Sequence, residues 1–472
     1  MSETYDLDKL INTLNDRTSV NADLNKEEIY IHSINKRGDL YYLGQVNTDK
    51  YKEFNAVLHS ITTKEEECFK IEAVSSFLYT DANWNNAITQ LYEGNALLLM
   101  EDTPYYYLFN LKEEMKRALE DSSSEKIVRG PKLAFIENLS FNVSLIRQLN
   151  FDTNIQVEEF VIQKKTKTKR LQYVYQKEKT DPKIIKELKK KLQDINTSNF
   201  EDSGMIEGFL EERRFSPFPQ VQNTERVDRA VAALDEGRVV ILVEGSPFAL
   251  IIPTTFDILL QSPDDYYERW IAGSFIRLLR YIAIIFTLFL SSIYISLVSF
   301  HPGLLPDELA LTIMNTRMEI PFPPIIEALI MEATIEFLRE AGIRLPTPLG
   351  QTIGLVGGVI IGQAAVEAHI VSSVMVIIIS LTAIASFCVP QYNFGLSFRL
   401  LRFGTIILAG LFGLYGVICF LILITIHLAS LQNFGVHYFS LKLSLRNHEW
   451  RDLIIRFPKS FIMKKDQSSE KG

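Results

Sequence analysis

Cysteine is scarce. Cys68, Cys388 and Cys419 are the only three in 472 residues, and no two of them form a Cys-x-x-Cys pair. That argues against a zinc knuckle, a redox motif or a disulfide-stapled scaffold, and three buried, reduced thiols are expected. No His-Glu-x-x-His or Gly-x-Ser-x-Gly occurs, and the seven histidines are scattered from His32 to His448. A catalytic constellation has no residues to name, so neither an enzyme nor a metal or cofactor site is expected. An excess of positive charge is missing too: 49 basic residues face 57 acidic ones, for a net charge of −8. Nucleic-acid binding needs concentrated Lys and Arg, so no nucleic-acid partner is expected. The chain opens with the polar Met-Ser-Glu-Thr-Tyr-Asp rather than a basic, apolar leader. Its first half is therefore expected to stay in the cytoplasm.

Charge itself disappears in four places. Residues 281–300, 345–366, 368–398 and 403–441 hold no Asp, Glu, Lys or Arg. About 20 apolar residues cross a bilayer core. The expected fold class is an α/β soluble N-terminal region of two related subdomains, followed by an all-α polytopic membrane domain. The expected divisions are a polar arm (1–25), subdomain I (26–120), subdomain II (121–265), the membrane domain (266–440) and a basic cytoplasmic tail (441–472). Spans are placed at 281–300, 345–367, 370–389 and 403–428. Arg269, Arg277 and Arg280 precede the first span, with Tyr266, Tyr267 and Trp270 at headgroup level. From Lys442 onward eight basic residues face four acidic ones. Four full spans bring that tail back to the cytoplasmic side, as the positive-inside rule asks.

Two stretches of the membrane half depart from plain apolarity. Segment 323–339 carries Glu327, Glu332, Glu336 and Arg339, with Glu340 next. On a helix, Glu332, Glu336, Arg339 and Glu340 share about one 100° face, with Glu327 roughly opposite. The segment reads as an amphipathic or re-entrant helix with a solvated face, as the lining of a hydrated path, or as a tilted span with ion pairs. The span after Pro346 holds Gly354, Gly358 and Gly362, each four apart, and then Gln363 and Glu367. Overlapping Gly-x-x-x-Gly patterns let a second helix backbone approach closely, within or between subunits. The same row could line a symmetric pore, with Gln363 and Glu367 as its polar members.

The soluble half contains a repeat. Ala87–Pro104 aligns without gaps on Ala230–Pro247, and seven of the 18 positions are identical. This marks a duplication. In each copy a helix ends at Gly94 or Gly237, where a left-handed cap suits glycine, and a buried strand follows. Leu40–Ser60 similarly resembles Leu171–Leu192. The basic run Lys164–Arg170 reads as a solvated hairpin tip or a contact with an anionic leaflet.

Longer motifs run through the chain. They include Asp202-Ser-Gly204, Ser216-Pro-Phe-Pro-Gln-Val-Gln-Asn-Thr-Glu-Arg226, Glu236–Phe248, Ser262–Trp270 and Ser274–Arg280. Pro321-Phe-Pro323, Leu338-Arg-Glu-Ala-Gly342, Gly362–Ala368 and His427–Leu431 continue them. Together they resemble the A subunits of the GerA-type spore germinant receptors of endospore-forming bacteria, across about residues 120–465. Within the motif starting at Ser216, the resemblance singles out Pro217, Pro219, Gln220, Asn223, Glu225 and Arg226. It implies a multi-pass protein of the spore inner membrane that works with a transporter-like B subunit and a lipoprotein C subunit. It further implies self-association, as a pentamer, into a nutrient-gated channel for monovalent cations. One departure is that Lys132-Leu-Ala-Phe135, rather than an acidic residue and glycine, follows Arg129-Gly-Pro131. A second is Arg147-Gln-Leu149 in place of paired basic residues. The alternative reading is an A-like paralogue or scaffold subunit that clusters receptors or amplifies ion release without being the nutrient-gated channel.

Overall fold

The computed structural model describes residues 11–439 except 12, 19, 33–34, 45, 62–66, 82–83, 102, 104, 112–124, 126, 128, 164–167, 196–201 and 346. Only the backbone is described at 67–69, 84–85, 163 and 347–356. The basic tail, the Cys68 side chain and most of the 164–170 run lie outside these limits.

The described chain forms two compact units, and the duplication is plain in the first of them. Its strands are β1 (Leu24–Ile31), β2 (Lys36–Leu43), β3 (Phe77–Asp81), β4 (Ala96–Met100) and β5 (Tyr106–Phe109). The second copy has β6 (Ile155–Gln163), β7 (Thr168–Gln176), β8 (Gln222–Thr224), β9 (Val239–Val243) and β10 (Ala249–Ile252). The sheet orders are β1-β2-β4-β5-β3 and β6-β7-β9-β10-β8. Replacing each strand of the first sheet by its copy reproduces the second order, and every pairing in both sheets is antiparallel.

Helices repeat as well. α1 (Thr48–Ser60) follows β2, and α5 (Pro182–Asp194) follows β7. α2 (Glu67–Glu72) precedes β3. α3 (Trp84–Tyr92) leads into β4, as α7 (Val227–Asp235) leads into β9. α4 (Leu139–Leu149) and α6 (Ser203–Leu210) complete this unit. Gly94 and Gly237 end α3 and α7 at φ 88° and 78°. A Cβ at Gly237 would lie 2.6 Å from the Lys179 carbonyl oxygen, so that site excludes any other residue on two counts. Period-two burial explains why β4 is apolar throughout. Leu97 and Leu99 pack with Ala87 and Leu91 of α3, while Ala96, Leu98 and Met100 pack with Phe54 and Leu58 of α1.

The two copies are joined by a buried ion pair. Arg147 reaches Asp23 through Nε and Nη2 at 2.9 and 3.2 Å, and its Nη1 donates to the Ile155 carbonyl at 3.0 Å. Its guanidinium also stacks 5.0 Å over the Tyr92 ring. Asn21 accepts from the Val157 amide at 3.0 Å. Asn142 accepts from the Ile136 amide and donates to its carbonyl, fixing the approach to α4. Arg147→Ala should therefore destabilise this unit by about 3–5 kcal/mol, because Asp23 is left charged and buried. Thermal unfolding of the full chain, followed by an exposed label on β7, checks the value; an unchanged midpoint would refute the pairing.

Two expected boundaries shift. The polar arm is partly core: Leu14 is fully buried against the first sheet, and β1 begins at Leu24. Subdomain II gives way to the second unit at Pro253 rather than 265. The cause is α8 (Phe256–Leu260), whose Phe256, Leu259 and Leu260 pack with Phe394, Phe398 and Leu428.

The second unit is helical. After α9 (Asp264–Tyr267) come α10 (Trp270–Ser299), α11 (Asp307–Arg317), α12 (Pro324–Arg344), α13 (Thr347–Glu367), α14 (Ser373–Ser386), α15 (Tyr392–Phe412) and α16 (Leu414–Ser430). Among the described residues, α10 and α15 are long and apolar enough to cross a membrane, with α14 and α16 shorter and apolar. The expected single span 403–428 is in fact two helices. Gly413, at φ 59°, breaks the helix, and a Cβ there would meet Phe300 at 2.9 Å. Gly416 then faces Leu408 and Gly404 faces Phe420. Those pairs run in opposite chain directions, so α15 and α16 form an antiparallel hairpin.

Polarity in this unit is inverted. Ile285, Ile377, Ile384, Leu400, Leu411 and Leu423 are all more than half exposed. Thr287, Ser291, Ser292, Ser296, Thr382 and Thr405 are buried. An apolar exterior around a polar interior is stable in lipid, where hydrocarbon solvates the outer side chains and polar groups must find partners inside. The thiols follow the same rule: Cys388 and Cys419 are exposed rather than buried.

Candidate functional site in the helical unit

Segment 323–339 belongs to α12, a 21-residue helix that starts with Pro324 in its first turn. Of the four glutamates in this helix, Glu327 and Glu332 are buried, Glu336 is half-buried, and Glu340 is exposed and paired with Arg344 at 2.5 Å. Glu332 and Arg402 are both fully buried, and Glu332 Oε2 lies 2.7 Å from Arg402 Nη2. Ser291 of α10 donates to Glu332 Oε1 at 3.4 Å and lies 3.3 Å from the Thr382 hydroxyl of α14. One turn on, Glu336 meets Arg339, Arg399 and Arg402 at 3.2, 3.5 and 3.5 Å. Arg339 also donates to Ser386 Oγ at 2.9 Å. Two carboxylates and three guanidiniums thus tie α12, α14 and α15 together, with α10 attached through Ser291.

Glu327 sits on the other side of α12, as helical spacing requires, and is equally buried. Arg317 of α11 approaches its Oε1 at 2.8 Å, and its Oε2 accepts the Ser372 amide at the start of α14 at 2.9 Å. Every glutamate named from the sequence in this helix therefore has a cationic partner. Arg317, Arg399 and Arg402 were missed as those partners. The signal available was that two arginines three apart interrupt an otherwise charge-free stretch.

The glycine row stands apart from this network. Gly354 lies in α13 where only the backbone is described. A Cβ at Gly357 would press on Leu338 of α12 at 2.9 Å, and one at Gly362 would touch Val376 of α14 at 3.7 Å. Gly358 meets nothing within 4 Å. Gln363 and Glu367 are exposed one turn apart, and Gln363 donates to Glu367 at 2.9 Å. Gln363 and Glu367 thus share the exposed side of α13, whereas Gly358 lies roughly opposite Glu367, between the Gly357 and Gly362 contacts in angle.

The motif beginning at Ser216 divides at the unit boundary. Its first part, with Arg213 before it, docks on the helical unit. The Ser216 hydroxyl lies 2.9 Å from His427 Nε2, and the Pro217 carbonyl accepts from Ser397. Pro219 accepts from the Tyr438 hydroxyl at 2.9 Å, and Gln220 from Asn433. Phe218 is buried among Phe394, Phe398 and the His427 ring. Proline suits this loop because its carbonyls, rather than its missing amides, make the contacts. The second part belongs to the sheet unit. Asn223 lies in β8, and Glu225 accepts the Phe135 amide at 2.7 Å. Arg226 clamps Asp228 at 3.0 and 2.6 Å and reaches the Pro131 carbonyl at 3.0 Å. These contacts give the motif a structural role on both sides of the boundary.

A family model described as "Bacillus/Clostridium GerA spore germination protein" matches residues 12–468. Spore germination protein A1 of Bacillus subtilis (strain 168) is 48% identical over 419 residues, covering 87% of this chain and 86% of that protein. Spore germination protein B1 of the same strain is 44% identical, covering 85% and 83%. Uncharacterized membrane protein YfkQ, also of that strain, is 39% identical, covering 84% and 77%. Among solved structures, the N-terminal domain of the A subunit of the Bacillus megaterium spore germinant receptor GerK3 gives a TM-score of 0.40 at 20% identity, over 52% of this chain and 94% of that one. With nearly its whole length matched, the chain belongs to the GerA spore germination family, as an A-type germinant receptor subunit and membrane protein rather than an enzyme.

Proposed function

We propose that this chain self-associates in the spore inner membrane into a nutrient-gated channel for monovalent cations, working with a B subunit and a lipoprotein C subunit. The observation that carries the reading is α13 itself: Gln363 and Glu367 are exposed one turn apart, and Gly358, roughly on the opposite side of the helix from Glu367, has nothing within 4 Å. In hydrocarbon an amide and a carboxylate on a lipid-facing surface are costly, so they turn to protein or water. A second copy seated along the glycines satisfies the packing, and a ring of copies, as in a pentamer, gives the polar pair an aqueous lumen. Glu367 would then present one carboxylate per subunit to passing cations. The soluble unit stays on the cytoplasmic side in this reading.

Conductance of the purified receptor in a planar bilayer tests it. Gly358→Leu should abolish the oligomer and the ion release together, while Glu367→Gln should keep the oligomer and weaken cation preference severalfold. Normal ion release from Gly358→Leu spores with intact receptors would sink the channel reading. It would favour the scaffold or A-like paralogue.

A further inference from the structure

The loop Arg213–Gln220 contains a side chain that the docking contacts do not use. Phe215 is fully exposed, although Phe218, three residues later, is buried. Its neighbours are fixed. Arg213 Nη1 donates to Ser430 Oγ at 2.9 Å, and Ser216 meets His427 at 2.9 Å. Both anchor points lie in the last turn of α16. The turns just before it expose Ile422, Leu423 and Ile426, the apolar side chains that hydrocarbon would cover. From Ile426 to Ser430 is about 6 Å of helix rise, the step from acyl chain to headgroup. Phe215 is therefore held at headgroup depth, flanked by Arg213 and Arg214, with no acidic residue between 213 and 220. The same unit exposes Trp270, Ile271 and Phe275 at the start of α10.

We infer that the Arg213-Arg214-Phe215 corner is a lipid-binding anchor, in which Phe215 enters the interfacial layer and the two arginines attract an anionic phospholipid headgroup. Aromatic rings favour that layer because their flat, polarisable bodies tolerate both sides of the boundary. Each nearby Lys or Arg adds attraction to an anionic leaflet. After Phe215 the carbonyls of Pro217, Pro219 and Gln220 are used by Ser397, Tyr438 and Asn433, and before it the Arg213 carbonyl accepts the Ser216 amide at 3.0 Å, so the corner is rigid and Phe215 cannot fold inward without undoing the dock. The anchor would set the height of this loop against the leaflet. The inference does not depend on the channel reading.

Spin labelling tests it. Phe215→Cys is made in the full chain with Cys68, Cys388 and Cys419 changed to Ser, labelled, and placed in nanodiscs of phosphatidylglycerol and phosphatidylcholine. The label should collide severalfold more with oxygen, relative to a water-soluble nickel chelate, than a label at Lys177→Cys, an exposed position just after β7. In phosphatidylcholine alone that preference should fall. A label reached freely by the chelate in both lipids overturns the anchor. So does one shielded from both reagents, which means protein covers it. Oxygen preference that ignores the anionic lipid overturns the headgroup contact.

Discussion

Arg402→Leu should be the most damaging charge change in the helical unit, lowering its stability by about 3–5 kcal/mol. The substitution keeps volume close and removes the cation, so Glu332 remains buried with the Ser291 hydroxyl, at 3.4 Å, as its hydrogen-bond donor among the described residues. A carboxylate without a counter-charge in a low-dielectric interior must be neutralised or rehydrated, and either course disrupts the packing of α10, α12 and α15. Glu336 also loses one of its three cations, though Arg339 and Arg399 remain at 3.2 and 3.5 Å. The double change Glu332→Leu with Arg402→Leu should recover much of the loss, because a well-packed apolar pair replaces a desolvated ionic one. Heating the solubilised protein and following the soluble fraction by size exclusion reads both variants. If the single variant melts with the wild type, the pair is not buried as described. If the double variant is no better than the single one, the loss comes from packing and not from charge.

The legibility of this chain followed the range of the forces involved. The duplication was readable because Gly94 and Gly237 answer a local demand, a left-handed helix end, and because β4 and β9 are apolar at every position. Both facts repeat in the linear sequence. The order of the sheets was not readable, since antiparallel pairing such as β10 with β8 is set by non-local contact. In the helical unit, uninterrupted apolarity over 403–428 read as one helix. It could not show that Gly413 sits against Phe300, a contact more than 100 residues away in sequence. The glutamates of α12 were found by charge in an apolar context, yet their sign partners lie on α11 and α15. Helical periodicity put Glu327 opposite Glu332, and only the fold shows that both of these carboxylates are buried.

Gly416→Val should prevent the α15–α16 hairpin from forming, with an effect at least as large as that of Arg402→Leu. A Cβ at Gly416 would lie 2.1 Å from the Leu408 carbonyl oxygen and 2.6 Å from its carbon. Both are backbone atoms, so no rotamer change relieves the contact, and the helices would have to part. Small residues at such crossings are what allow close approach where no hydrophobic force draws helices together in lipid. Gly404, at the next level of the hairpin, supplies the control. A Cβ there would meet the tip of the Phe420 ring at 3.0 Å. A ring can tilt by the few tenths of an ångström required, so Gly404→Ala should cost little, on the order of 1 kcal/mol or less. Parting the hairpin would also move His427 and Ser430, which hold Ser216 and Arg213. Cleavage of the 213–220 loop by trypsin should therefore accelerate in Gly416→Val and stay at the wild-type rate in Gly404→Ala. Equal protection in both variants would mean that the two helices do not cross at Gly416.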